Sequence, residues 1–81
     1  MENRVKGVMA SVLGLDISEI NYNTSTDTVE KWDSLKSINL VMALEEEFGV
    51  KFDEEDIMNM LNYKIICLIV KEKLDKIRNK W

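Results

Sequence analysis

The stretch from Leu35 to Gly49 limits the possible folds more than any other part of the chain. Leu35, Ile38, Val41, Met42, Leu44 and Phe48 recur every three or four positions, the spacing of one helix face, and Gly49 follows where a left-handed C-terminal cap belongs. The start is equally well marked, because Asp33 or Ser34 can supply a side-chain oxygen to a free amide of the first turn. Which of the two caps the helix stays open at this level.

The remaining segments supply partners for that helix. Val5, Val8, Met9, Val12 and Leu13 predict a first helix that ends at Gly14. Leu15 to Lys31 shows little periodicity and predicts a long loop with one turn near Ile17 to Ile20. Seventeen residues is long for such a loop, and loops of that length are usually functional or carry structure of their own. Val50 and Phe52 turn inward from a short extended link, and Asp53 opens a short third helix through about Leu61, with Glu54, Glu55 and Asp56 at its positive end. Asn62 separates it from a last helix in which Ile66, Ile69, Val70, Leu74 and Ile77 form the buried stripe while Lys71, Lys73, Lys76 and Arg78 face water. There is no proline, no strand alternation and no internal repeat. The predicted fold is all-α: one domain over residues 1–81, a small four-helix bundle with a long first loop and a short third helix. Ile38 and Phe48 are expected in the core, where truncation to alanine costs about 2 to 5 kcal/mol.

Composition narrows the function. Eighty-one residues with 46% hydrophobic and 32% charged side chains suit a soluble domain with one modest core. A chain this short buries only about 60% of the surface its unfolded form exposes, so its interior should be adaptable and deep catalytic clefts are not expected. Cys67 is the one cysteine and has no internal disulfide partner, and MENRVKGVMA lacks the apolar run of a secretory signal. A reducing, cytoplasmic setting is expected. The longest apolar run, IICLIV, is six residues bounded by lysines, so no membrane insertion is expected. The net charge of -4 is uneven: residues 27–56 carry -7 and residues 64–81 carry +4. An acidic middle repels phosphate backbones and steers basic protein partners, which disfavours nucleic acid. The basic end complements the dipole of a terminal helix.

Catalytic equipment is missing. The chain has no histidine, no glycine-rich phosphate loop and no Cys/His cluster, and D53-E54-E55-D56 lacks the spacing and central glycine of a calcium loop. A non-enzyme without a metal site is expected. What remains is W32-D33-S34-L35, a hydroxyl where a long loop meets a helix start. A phosphodiester on that oxygen would be stabilised by the free amides and the positive dipole end.

The string W-D-S-L-K-S-I-N-L-V-M-A-L-E-E-E-F-G-V-K-F, residues 32–52, resembles the phosphopantetheine attachment region of acyl carrier proteins, and the order of helices resembles the family's architecture. The resemblance implies a non-catalytic carrier with 4'-phosphopantetheine attached covalently to Ser34, holding an acyl group as a thioester. It implies that Asp33 and Leu35 flank the site read by a phosphopantetheinyl transferase, and that Leu35, Met42, Glu45 and Glu46 meet acyl-loading, acyl-transfer or condensing enzymes of fatty acid, polyketide or related pathways. A monomer is expected. The residues alone also allow an unmodified acidic adaptor docking on a basic protein, with E45-E46-E47 a plain solvated face. Met42, Met58 and Met60 are expected at the core, where pliable thioethers would let it open for an acyl chain between the second and third helices. Cys67 is expected as a small buried residue, and Trp32 with its ring against the bundle. The sequence departs from fatty acid synthesis carriers, which have Gly-Ala before Asp-Ser-Leu and carboxylates at the positions of Lys36 and Asn39. This chain has Lys31-Trp32, a cation and a neutral amide in those places, and its W32-D33-S34-L35 form resembles the free-standing carriers of specialised clusters.

Overall fold

The computed structural model describes the backbone of residues 1–78 and the side chains of residues 1–77. Four helices follow one another: α1 (Glu2–Leu13), α2 (Ser34–Phe48), α3 (Glu54–Asn59) and α4 (Tyr63–Arg78), with one 3-10 turn at Ile17–Glu19 inside the long first loop. Both glycines expected to stop helices do so. Gly14 (φ 69°) and Gly49 (φ 65°) sit in the left-handed region, where a side chain would be strained, and each amide closes onto the preceding helix, at the Ala10 and Glu45 carbonyls.

The core is one cluster. Val5, Met9 and Leu13 of α1, Leu40, Val41 and Leu44 of α2, and Tyr63, Ile66, Cys67 and Val70 of α4 are buried together with Ile20, Trp32, Val50, Phe52 and Met60 from the connections. α3 itself contributes no buried residue. Arg4 sets the start of α1 beside the end of α2: its guanidinium lies 2.9 Å from Glu47 Oε2, donates to the Glu47 carbonyl at 2.9 Å and stands 4.7 Å over the Phe48 ring. A cation at a helix C-terminus complements its dipole, though an exposed pair of this kind contributes at most about 1 kcal/mol.

The first loop is more ordered than its composition suggests. Thr24 is buried, and its Oγ1 accepts the Asn21 amide at 2.9 Å, while Thr28 Oγ1 accepts the Ser25 amide at 2.9 Å. The loop then crosses to the α3–α4 junction: the Tyr63 amide donates to the Thr24 carbonyl at 2.9 Å, and the Thr26 amide to the Leu61 carbonyl at 3.0 Å. α3 begins at a reciprocal capping box in which Asp53 Oδ1 accepts the Asp56 amide (2.8 Å) and Asp56 Oδ2 accepts the Asp53 amide (3.1 Å). It ends at Asn59, short of Leu61. Asn62 Oδ1 accepts the Ile65 amide at 2.8 Å and so starts α4.

Three core expectations are corrected. Ile38 is 57% exposed, and Phe48 is only half-buried. Two rows on α2 have helical spacing: Leu40, Val41, Leu44 and Phe48 face the bundle, while Leu35, Ile38 and Met42 lie outside. Leu40 is the core residue that the stripe omitted. On α4, Ile66 and Val70 are buried and Ile69 and Leu74 pack partly, but the stripe turns toward Tyr63 and Cys67, leaving Ile77 at 49% exposure. Lys73 does not face water; it pairs with carboxylates of the α3 start. The expected orientation of the Arg78 side chain lies outside the described residues.

This burial predicts unequal costs of truncation. Leu44→Ala should destabilise by about 2 to 5 kcal/mol, while Ile38→Ala should stay within about 0.5 kcal/mol. Denaturant melts of the two variants check this, and equal losses would mean that α2 is rotated from its observed phase.

Candidate functional site

The start of α2 is built by the three residues before it. Trp32 is buried, its amide donates to the Val29 carbonyl at 3.0 Å, and its indole Nε1 donates to Ser37 Oγ at 2.9 Å. The ring therefore packs against the bundle as expected and ties the incoming loop to the first turn of the helix. Asp33 is extended (φ -100°, ψ -173°), its Oδ1 accepts the Lys36 amide at 2.9 Å, and its carbonyl accepts the Ser37 amide at 2.9 Å. Asp33 is thus the cap, which leaves Ser34 as the first helical residue.

That division of roles matters chemically. Ser34 is exposed, and among the described residues its hydroxyl has no hydrogen-bond partner; the Ser34 and Leu35 amides likewise have no protein acceptor. A free hydroxyl beside two free amides, at the positive end of a fifteen-residue helix, fits a serine-linked phosphodiester. Ser37, one turn along, is taken up by Trp32.

Beyond Ser34 the outer face of α2 is apolar. Leu35, Ile38 and Met42 are 65%, 57% and 61% exposed, and exposed Glu46 continues the row one turn later. Ile57 and Met58 of α3, at 41% and 70%, are exposed as well. Met42 and Met58 are therefore surface residues and not core, because they fall on the outward rows of their helices; Met60 alone of the three is buried. The three glutamates differ in their engagements. Glu45 Oε2 accepts the Phe52 amide at 2.9 Å, Glu47 pairs with Arg4, and Glu46 alone has no protein partner among the described residues. Ile38, like Met42 and Met58, is a surface residue that the sequence placed inside; for the two on α2 the signal was the presence of two apolar rows rather than one broad stripe.

Among the described residues two clefts stand out. One of about 470 Å³ lies along the first loop between Leu15, Thr24, Val29 and Lys31, and one of about 820 Å³ lies between α1 and α2 beside Arg4, Val8, Ala43 and Glu47. Neither is lined by a residue of α3, so an acyl shelter between α2 and α3 would require opening the core. Cys67 is buried, as expected, and burial pushes its thiol above the ordinary value against a partly offsetting bond from Tyr63. It is a packing residue rather than a nucleophile.

Comparison with known proteins shows the family and the fold. The family described as "Phosphopantetheine attachment site" matches residues 3–62. Acyl carrier proteins from two strains of Nitratidesulfovibrio vulgaris, DP4 and Hildenborough, are each 34% identical over 80 residues, covering 99% of this chain and 96% of theirs. In fold, the chain is similar to the solution structure of a holo acyl carrier protein from Geobacter metallireducens, with a TM-score of 0.86 and 22% identity over 99% of this chain and 92% of that one.

The assignment of the cap predicts different costs at neighbouring positions. Asp33→Ala should cost about 1 kcal/mol, and Ser34→Ala, which loses no protein hydrogen bond, should stay within about 0.5 kcal/mol. Urea melts decide it, and a larger loss at Ser34 would move the cap there.

Proposed function

The chain belongs to the acyl carrier proteins, the family that bears a phosphopantetheine attachment site, and we propose that its arm is joined to Ser34. The observation that carries this reading is the state of the hydroxyl: exposed, unbonded and at the positive end of α2, while Asp33 does the capping and Ser37 is tied to Trp32. Once joined, the arm supplies a thiol that holds the acyl group as a thioester. In the joining step Ser34 Oγ forms the new P–O bond to coenzyme A, its proton passes to the phosphopantetheinyl transferase, and the nucleotide part of coenzyme A leaves. No base is needed within this chain. The Ser34 and Leu35 amides face the resulting negative charge, and Asp33 and Leu35 are the flanking residues that the transferase reads.

The carrier function follows from exposure rather than from a cleft. Leu35, Ile38 and Met42 offer partner enzymes an apolar row beside the arm, and Glu46 offers a carboxylate to a basic patch; Glu45 keeps its second oxygen for the same use. Acyl-loading, acyl-transfer or condensing enzymes are the partners of this reading, with residues 1–81 acting as one monomeric carrier domain in the cytoplasm. Among the described residues no helix is long and apolar enough to cross a membrane.

A dedicated pathway is supported by the charges around Ser34. Lys36 and exposed Asn39 occupy the first two turns of α2, where fatty acid synthesis carriers have carboxylates. Exposed charges act over about 10 Å at ordinary ionic strength, so this reversal should weaken docking on the basic patches of fatty acid synthesis enzymes and leave Glu46 available.

Two measurements test these statements. Incubation with a broad-specificity transferase and coenzyme A should add one arm to the wild type and none to Ser34→Ala by intact mass; an unmodified wild type would instead favour an acidic adaptor. In complementation, the wild type should replace a host's fatty acid carrier poorly, and a Lys36→Asp, Asn39→Glu double variant should do better. Full replacement by the wild type would contradict the dedicated role.

A further inference from the structure

α3 is fastened at both ends and has no residue of the buried core between them. Before it, Phe52 is buried and its amide donates to Glu45; after it, Met60 is buried and the Leu61 carbonyl accepts from Thr26. Residues 53–59 contain no buried apolar side chain. A segment with so little burial opens at a small part of the free energy of global unfolding. What holds its flank is Lys73 of α4. Its Nζ lies 2.7 Å from Asp56 Oδ2 and 3.8 Å from Asp53 Oδ2, and these are the only ion pairs between α4 and the α3 start among the described residues. The Lys73 and Asp56 side chains are only 17% and 21% exposed, so this pair is better shielded than the surface pairs that contribute little. Asp53 and Asp56 also form the capping box of α3, and the ammonium offsets the repulsion between them. Burial alone would raise the Asp56 carboxyl, but the bonds from Lys73 and from the Asp53 amide bring it below its ordinary value.

We propose that Lys73 is the latch of this segment and a positioning residue for acyl carriage: it sets how readily residues 53–59 lift from α4 to admit an acyl chain to the core at Phe52 and Met60. The proposal rests on the carrier reading of Ser34. A chain that enters must break the Lys73–Asp56 bond, so the latch favours a presented thioester over a sheltered one. Short acyl groups, with little apolar surface to bury, leave it closed.

The test compares wild type, Lys73→Gln and Lys73→Arg, each loaded with the arm and then with an octanoyl or an acetyl group, with loading read by intact mass. Amide hydrogen exchange at Ile57 and Met60 should quicken about tenfold in Lys73→Gln, the size of one charge-assisted bond, with the α1 and α2 core amides unchanged. Cleavage of the octanoyl thioester by hydroxylamine should slow several-fold in Lys73→Gln, cleavage of the acetyl thioester should not change, and Lys73→Arg should restore wild-type behaviour in both. Exchange that rises equally in all helices, or octanoyl cleavage as fast as in the wild type, overturns the latch. If no variant takes an arm, the mass spectra show that the carrier reading has failed, and the latch falls with it.

Discussion

Helix α2 buries apolar side chains on its inner face alone, and what the protein presents follows from that. Leu40, Val41 and Leu44 are buried with α1 and α4 side chains, so the helix cannot rotate without exposing them. Its other apolar row, Leu35, Ile38 and Met42, is left outside and stays there. Burying both rows would need another layer of structure on the outer side, and the described residues leave that side open. It is this exposed apolar row that the proposed docking of partners would use. Here the row starts one residue after the serine.

The same economy governs the start of the helix. A helix needs a cap, and a carrier needs a free hydroxyl; one serine doing both would hold its oxygen in a bond to the backbone. Asp33 takes the first role and leaves Ser34 the second, while Trp32 fixes the approach by gripping Ser37 from below. The acidic character of the middle of the chain is likewise divided. Glu45 anchors the link to α3, Glu47 anchors α1, and Asp53 and Asp56 hold α3 through its cap and Lys73. The negative surface is therefore partly internal scaffolding, and Glu46 is the one carboxylate of the triplet with no protein partner among the described residues.

Features set by neighbours in sequence were legible in the sequence. Gly14, Gly49, the Asp53 cap and Asn62 act within four residues of themselves, and each sits where its local chemistry put it. The family was legible in a different way, through the resemblance of residues 32–52 to the acyl carrier proteins, and the match over residues 3–62 agrees with it. Features set across the fold were not legible. Spacing alone cannot choose between two apolar rows, so Ile38 and Met42 were placed inside. Lys73 looked like a solvated lysine because its carboxylates lie in another helix. The order of the first loop depends on Thr24 reaching Tyr63, a pairing that no local pattern announces. That Glu45 also anchors the link after α2 was not legible, because the Phe52 amide it accepts lies beyond the helix.

Five serines in the chain could in principle accept the arm. Proteolysis of the arm-bearing protein, followed by fragmentation of the modified peptide under conditions that keep the phosphodiester, locates the arm directly. The arm should lie on Ser34 alone, with Ser37 bare because its oxygen is held by the Trp32 indole. An arm on Ser37, or on a serine of the first loop, would contradict the central claim that the cap, the indole and the free amides together single out Ser34.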